Sequence, residues 1–363
     1  MHVGCEGSFC PDLQVDNWGV VKKNEVMTGF ANLEDVQLED HNLQKVEKEK
    51  YLGDILSADG TNLKNVISRQ NKSIGINKQI GNMLREVCYG PYHFEVALVF
   101  RETLLLSSIL TNSEAWYKVK DNEIDILEKS DENLLRSIFE TPVTTTKCML
   151  YLESGVKPIR FHIMARRLMF LWYILNEDES CLLSRFFRAQ ENNTCKGDWM
   201  NSVGEDLYYL DIYLTLDQIK NSSMEQFKSL VDNSIDEKAF EYLIGEKDRK
   251  DKTKVSHIKF KDLKMQNYLH SREIGIQQKK FIFLLRNRML EVAKNYPNKF
   301  TDKFCPVCRD GKSLDSQEHI FECLNLVKEN QVVDKFAEYT DAKKEREAER
   351  ERIKRRKEIV NGH

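Results

Sequence analysis

Three cysteines and one histidine near the carboxyl end carry the clearest chemistry in this chain. Phe304-Cys305-Pro306-Val307-Cys308 is followed by His319 and Cys323, a C-x2-C-x10-H-x3-C spacing. A divalent zinc ion takes four soft or borderline ligands in a tetrahedron, thiolate and imidazole foremost. A Cys-x2-Cys turn presents two sulfurs to one ion, and His319 and Cys323, four apart, share a face of a helical turn. Phe304, Ile320, Phe321 and Leu324 supply apolar neighbours for a unit too small to fold alone. In such units metal binding contributes roughly 10–16 kcal/mol, which becomes folding free energy. Four protein ligands leave no open coordination position, so the spacing predicts structural zinc. The competing reading is three free cysteines and a histidine close together by coincidence.

No second constellation points to catalysis. No Ser–His–Asp or Cys–His pairing has supporting context. His162 lies on an apolar helix and reads as a satisfied core histidine, and Asp59-Gly60 is accounted for by turn chemistry.

The elements that position the Cys/His set are expected to be helical. The 363 residues include six prolines and sixteen glycines, few for this length, and 31% are charged,. That length allows two or three domains. The net charge of −3 conceals a segregated distribution. Of nine cysteines, three belong to the metal set; Cys5, Cys10, Cys88, Cys148, Cys181 and Cys195 lack a pairing rhythm. With no signal peptide, this predicts a reducing, intracellular setting. The most apolar run, 159–175, contains Arg160, Arg166 and Arg167, so no membrane partner is expected.

Along the chain, strand character is expected at 13–21 around Asn17-Trp18-Gly19, with an exposed connection at 31–50. A further strand at Tyr51-Leu52-Gly53-Asp54-Ile55-Leu56 is ended by Asp59-Gly60. Helices are predicted from Thr61, as cap, to about Cys88, over 92–110, and over 122–139 with its acids outside. Others follow at 145–153 and 159–175 with Pro158 as first helical residue, then a shorter element near 185–188, and helices near 200–210, 223–244 and 276–295. Residues 246–254 read as a charged linker, and 327–358 as one helix polar all round.

The chain resembles the carboxy-terminal part of the reverse transcriptases of non-LTR (LINE-type) retrotransposons. The resemblance rests on Met1-His2-Val3-Gly4, on 51–60 (Tyr-Leu-Gly-Asp-Ile-Leu-Ser-Ala-Asp-Gly), and on 110–117 (Leu-Thr-Asn-Ser-Glu-Ala-Trp-Tyr). It continues through Pro158-Ile159-Arg160-Phe161-His162, Arg166-Arg167-Leu168-Met169 and Lys196-Gly197-Asp198-Trp199 to the Cys/His unit. Order and spacing together carry it, over residues 1 to about 326. It implies a mainly α fold: a small β remnant of the palm at 1–58, thumb-like helices at 59–140, a helical connector at 141–300, and a CCHC zinc knuckle at 301–326. A charged helical tail follows at 327–363. The family's polymerase carboxylates lie in an aromatic-x-Asp-Asp turn, whereas this sequence contains no Asp-Asp pair. Polymerase activity is therefore not expected of this chain alone.

What the resemblance does imply is nucleic-acid handling, with RNA or an RNA–DNA hybrid as partner. Thumb helices follow a duplex backbone through Lys, Arg and small polar groups. Candidate contacts are Lys64, Arg69, Lys72 and Lys78, then Arg160, Arg166 and Arg167, then Lys279, Lys280, Arg286 and Arg288. On the knuckle, Phe304 and Phe321 would stack on bases, with Lys303, Arg309 and Lys312 on phosphate. Each basic residue has the plainer reading of a solvated helix face, and Trp116, Trp172 and Trp199 read as core. Two other outcomes remain open: a zinc-stabilised helical module whose partner is a protein, docking through 327–358, and a mobile-element relic with no selected role. The resemblance places the protein in the nucleus, with Lys354-Arg355-Arg356-Lys357 as a candidate import signal.

Overall fold

Helices carry the chain from Leu63 to Arg286. The computed structural model describes residues 25–26, 37–38, 41–42, 44–51, 53–87, 89–116, 119–192, 198–249, 255, 258–296, 298, 302–308, 311–323, 341, 344–345, 348 and 351–352. Two compact units divide between Asn65 and Val66.

The first unit holds short strands: β1 (Glu25–Val26), β2 (Gln37–Leu38), β3 (His41–Asn42), β4 (Gln44–Lys45), β5 (Lys48–Tyr51) and β6 (Asp54–Ser57). β1 pairs in parallel with β4, while β2–β3 and β5–β6 are antiparallel. The sequence read as one strand through Tyr51 and Leu56 is a hairpin, with Tyr51 opposite Asp54. Gly53, at φ +94°, makes the turn in a conformation that side chains rarely adopt,. Strands also replace part of the connection expected over 31–50, whereas the hairpin expected near Trp18 lies outside the described residues. Asn65 donates to Asp54 Oδ1 at 2.8 Å and accepts the Ile55 N–H at 3.2 Å, fastening β6 to the following helix start.

That helix, α1 (Leu63–Glu86), begins two residues after the expected cap, because the Thr61 N–H and hydroxyl are both bound to Asp59 Oδ1. In the second unit, α2 (His93–Phe100) runs through a π-helical turn at Arg101–Leu106 into α3 (Ser107–Ile109) without a break. There follow α4 (Asp121–Phe139), α5 (Lys147–Ser154), α6 (Ile159–Asn176), α7 (Leu182–Asn192), α8 (Trp199–Tyr209), α9 (Leu216–Asn221), α10 (Met224–Arg249), α11 (Asn267–His270), α12 (Ile276–Arg286) and α13 (Gln317–Glu322). Pro158 caps α6 rather than opening it. In α10, Phe227, Val231, Ile235, Ala239 and Leu243 recur every fourth residue and are all buried,. The stripe ends on Lys247, so the first residues of the expected linker are helix. The α12 helix stops well short of 295: Asn287 closes it by bonding the Phe283 carbonyl at 2.8 Å, and Arg288 adopts φ +51°.

One apolar core joins early and late segments, since Phe139 stacks on Phe283 at 4.3 Å with Phe94 beside it. The expected thumb–connector boundary at 140/141 falls within this core. A second core forms around α6, α8 and α10, with Leu168, Leu171 and Val231 wholly buried. Each such side chain contributes about 1.5–3 kcal/mol. Gly155, at φ +70°, lets the end of α5 meet the 264–266 segment; a Cβ there would collide with the backbone of Lys264 and Met265. Among the described residues no helix is long and apolar enough to cross a membrane.

Candidate metal centre

The Cys/His residues come together as their spacing predicts. Cys305 N–H donates to the Ser313 carbonyl at 2.7 Å and Asp315 N–H to that of Lys303 at 2.8 Å, bridging Phe304 to Leu314 in antiparallel fashion. Gly311, at φ +66°, lies in the intervening loop. Ser316 then caps α13, its hydroxyl accepting the His319 N–H at 3.1 Å, so that the histidine sits in the first turn and Cys323 just past the last,.

Cys308 Sγ lies 3.2 Å from His319 Nε2 and 3.3 Å from Cys323 Sγ, and all four potential ligand atoms lie within 4.8 Å of one another. A tetrahedron with metal–sulfur arms of about 2.3 Å has edges of about 3.8 Å. The cluster therefore has the size and donor chemistry to hold a metal ion. The Cys308 N–H points at Cys305 Sγ at 3.5 Å, a contact that favours the thiolate,. In the protonated cluster, burial pushes Cys308 up to about 12, with the Cys323 and Cys305 sulfurs adding to the effect. Burial also raises Cys305.

The module is seated on the helical body. Cys305, Ile320 and Cys323 share a small core with Phe281, Leu290 and Val292. Asp315 Oδ2 accepts the Ala293 N–H and its carbonyl accepts that of Lys294, at 2.8 and 3.0 Å. Asn295 donates to Gln317 Oε1 at 2.8 Å, and Gln317 donates to the Leu285 carbonyl at 3.2 Å. Sequence reasoning found the ligands and missed Asp315, Ser316 and Gln317. Ser316 standing three residues before His319 was a readable cap signal; the seating contacts had none, because their partners lie far back along the chain.

The basic candidates fare differently. Arg69 is buried, donating to the Ser108 and Ile109 carbonyls and lying 5.0 Å over the Trp116 ring. Arg160 meets Glu128 at 2.9 Å, with Asp121 and Asp125 nearby, and covers Tyr242. Arg167, although seven residues on, turns to another helix and pairs with Asp206 at 2.7 Å. Arg166, half-exposed, donates to the Leu110 carbonyl. Lys279 is fully buried between the Pro91 and Leu269 carbonyls, Lys280 pairs with Glu140 at 2.7 Å, and Arg286 with Glu153 at 2.9 Å. Arg288 is half-buried. These are corrections: Arg69, Arg166 and Lys279 are held by backbone carbonyls and Arg167 by Asp206 of α8, while Arg160 and Arg286 answer to acids that α4 and α5 bury. Glu123, Glu128, Asp131 and Glu153 are inside rather than out, and a buried carboxylate requires a cation,.

Lys72 and Lys78 are exposed on α1, Lys64 is half-exposed, and Lys303, Phe304 and Lys312 are exposed on the Cys/His module. Arg309 lies outside the described residues, as does the Phe321 side chain. Of the 327–358 helix, only Asp341, Lys344, Glu345, Ala348, Glu351 and Arg352 are described, all helical and exposed. Trp116 and Trp199 are core as expected, while Trp172 is half-buried. His162 is less satisfied than expected: its Nε2 has no hydrogen-bond partner among the described residues. Compared with known protein families, curated proteins and solved structures, the chain matches none.

Proposed function

We propose that this chain is a zinc-capped helical arm that binds nucleic acid, of the kind found in non-LTR retrotransposon reverse transcriptases. The observation that carries the reading is the Cys305–Cys308–His319–Cys323 cluster seated on the helical body, with Phe304 38% exposed beside exposed Lys303 and Lys312. Zinc suits three thiolates and one imidazole, and when bound it holds the 305–308 turn to α13 and adds its binding energy to folding. An exposed aromatic flanked by lysines suits unpaired bases and their phosphates. On the body, Lys72 and Lys78 stand in for the larger basic set, much of which is engaged with carboxylates or backbone carbonyls. No polymerase activity is proposed for the chain itself.

The test is fluorescence anisotropy of zinc-loaded protein with a single-stranded RNA and with an RNA–DNA hybrid across a salt series. Log affinity should fall linearly with log salt, and the slope should lessen by about 0.7–0.9 for each phosphate-contacting lysine replaced by glutamine. Undetectable or salt-insensitive binding refutes the reading.

The internal engagement of Arg160, Arg167, Lys280 and Arg286 favours a second reading, a zinc-stabilised helical module that binds a protein. Nuclease-resistant protein partners dominating a pull-down would support it.

A further inference from the structure

The three sulfurs of the Cys/His cluster are not equally sheltered. Cys305 and Cys323 are 1% and 2% exposed and share a core with Phe281, Leu290 and Val292. Cys308 is only half-buried, so an oxidant arriving from solvent meets its sulfur first,. Metal-bound cysteines are thiolates, the form that attacks an oxidant, and zinc itself is redox-inert.

A second sulfur stands ready beside the first. Cys308 Sγ lies 3.3 Å from Cys323 Sγ, and a tetrahedral zinc site would hold the two about 3.8 Å apart,. A disulfide needs about 2.05 Å, so the pair has less than about 2 Å to close. Cys323 lies just past α13 in extended conformation, at φ −64° and ψ 112°, so its sulfur can move without unwinding the helix. Cys305 is held more firmly, with its N–H on the Ser313 carbonyl at 2.7 Å and its sulfur taking the Cys308 N–H.

We propose that Cys308 is an oxidation site for hydroperoxides, and that the disulfide it then forms with Cys323 frees the metal. The inference rests on the zinc reading above. The Cys308 thiolate attacks one peroxide oxygen, the O–O bond breaks and hydroxide leaves, giving a sulfenic acid. The Cys323 thiolate attacks that sulfur, the S–O bond breaks and a second hydroxide leaves. Two electrons have then passed from the sulfurs to the peroxide, and Cys305 and His319 alone remain as ligands. Two donors do not retain an ion that needs four. The new bond joins the 305–308 turn to α13, so the module stays tied after its metal has gone.

The test treats the zinc-loaded full chain with hydrogen peroxide, reading freed zinc with a chromogenic chelator and mapping disulfides by peptide mass spectrometry. Zinc should leave in step with a Cys308–Cys323 disulfide, and a dithiol reductant with added zinc should restore the loaded chain. Cys308→His keeps four donors without the accessible sulfur, and should slow zinc release about tenfold or more. If that variant fails to load zinc, the disulfide map of the wild type decides. Zinc retained through the peroxide treatment, a Cys305–Cys308 disulfide instead, or wild-type release from a loaded Cys308→His chain overturns the inference. A wild-type chain that takes up no zinc removes the metal reading and this inference with it, whereas zinc bound and then kept removes the inference alone.

Discussion

Asp315 Oδ2 accepts the backbone N–H of Ala293 at 2.8 Å, and both residues are buried. This joins the Cys/His module to the segment that leaves α12, where a free bead on a tether would make no such contact. Asp315→Ala should leave the Ala293 N–H without its partner and destabilise the docking by about 1–3 kcal/mol. Hydrogen exchange should quicken across 302–323 while metal stoichiometry is retained. Unchanged protection there would show that the apolar contacts of Ile320 with Phe281 and Leu290 suffice alone.

Removing a ligand should have the opposite signature. On the proposed reading, Cys308→Ser or His319→Ala should lower bound metal from one equivalent toward none, read by elemental analysis, and open residues 302–323 to protease. Because Cys305 and Cys323 also pack on Phe281, Leu290 and Val292, the loss should spread into 287–296 and should spare α4 and α6. A chelator applied to the native chain should reproduce it.

The metal set was legible because its geometry is local: four ligands within nineteen consecutive residues, positioned by a turn and one helical turn. Helix existence was legible for the same reason, from the apolar period of α4, α6 and α10. What sequence hid was the fate of the charges. Arg160 and Arg167 share a helix face by spacing, yet they bond carboxylates on α4 and α8, and the burial of Glu128 and Asp206 is decided by helices that pack from far along the chain. The length of α12 was misjudged because apolar residues continue past Arg286, whereas Arg288 takes a left-handed conformation and ends the helical path.

The most shielded of these pairs is Arg101 with Asp131. The guanidinium makes two bonds to the carboxylate, at 2.6 and 2.8 Å, and a third to the Lys157 carbonyl, while the Tyr151 hydroxyl also donates to Asp131. Arg101→Met should cost roughly 3–5 kcal/mol, because an unpaired carboxylate stays buried. Combining it with Asp131→Leu should recover a large part of that loss in urea denaturation. Additive losses in the double variant would mean that the two side chains do not act as a unit.

His162 should make stability fall in acid. Burial, and then the neighbouring charges of Arg101, Lys157 and Arg166, hold its imidazole down at about 3, against an ordinary value of 6.5. Between those values the unfolded chain binds a proton that the folded chain refuses. This contribution is therefore complete above pH 6.5 and is lost as pH drops toward 3, amounting to on the order of 5 kcal/mol. His162→Gln should flatten the urea-midpoint curve between pH 6.5 and 4.5. A variant curve parallel to that of the wild type would remove His162 as the source.

Phe139 meets Phe283, and Lys279 holds the Pro91 carbonyl, across more than a hundred residues of intervening chain. At ordinary synthesis rates of about 5–20 residues/s, the sticky side of α4 waits roughly 7–30 s, and that of α2 roughly 9–38 s, before α12 arrives to cover them. During that interval the nascent polypeptide is a natural client for chaperones, and a message cut short before the codon for Phe283 would yield a product that clumps rather than one that is merely shorter.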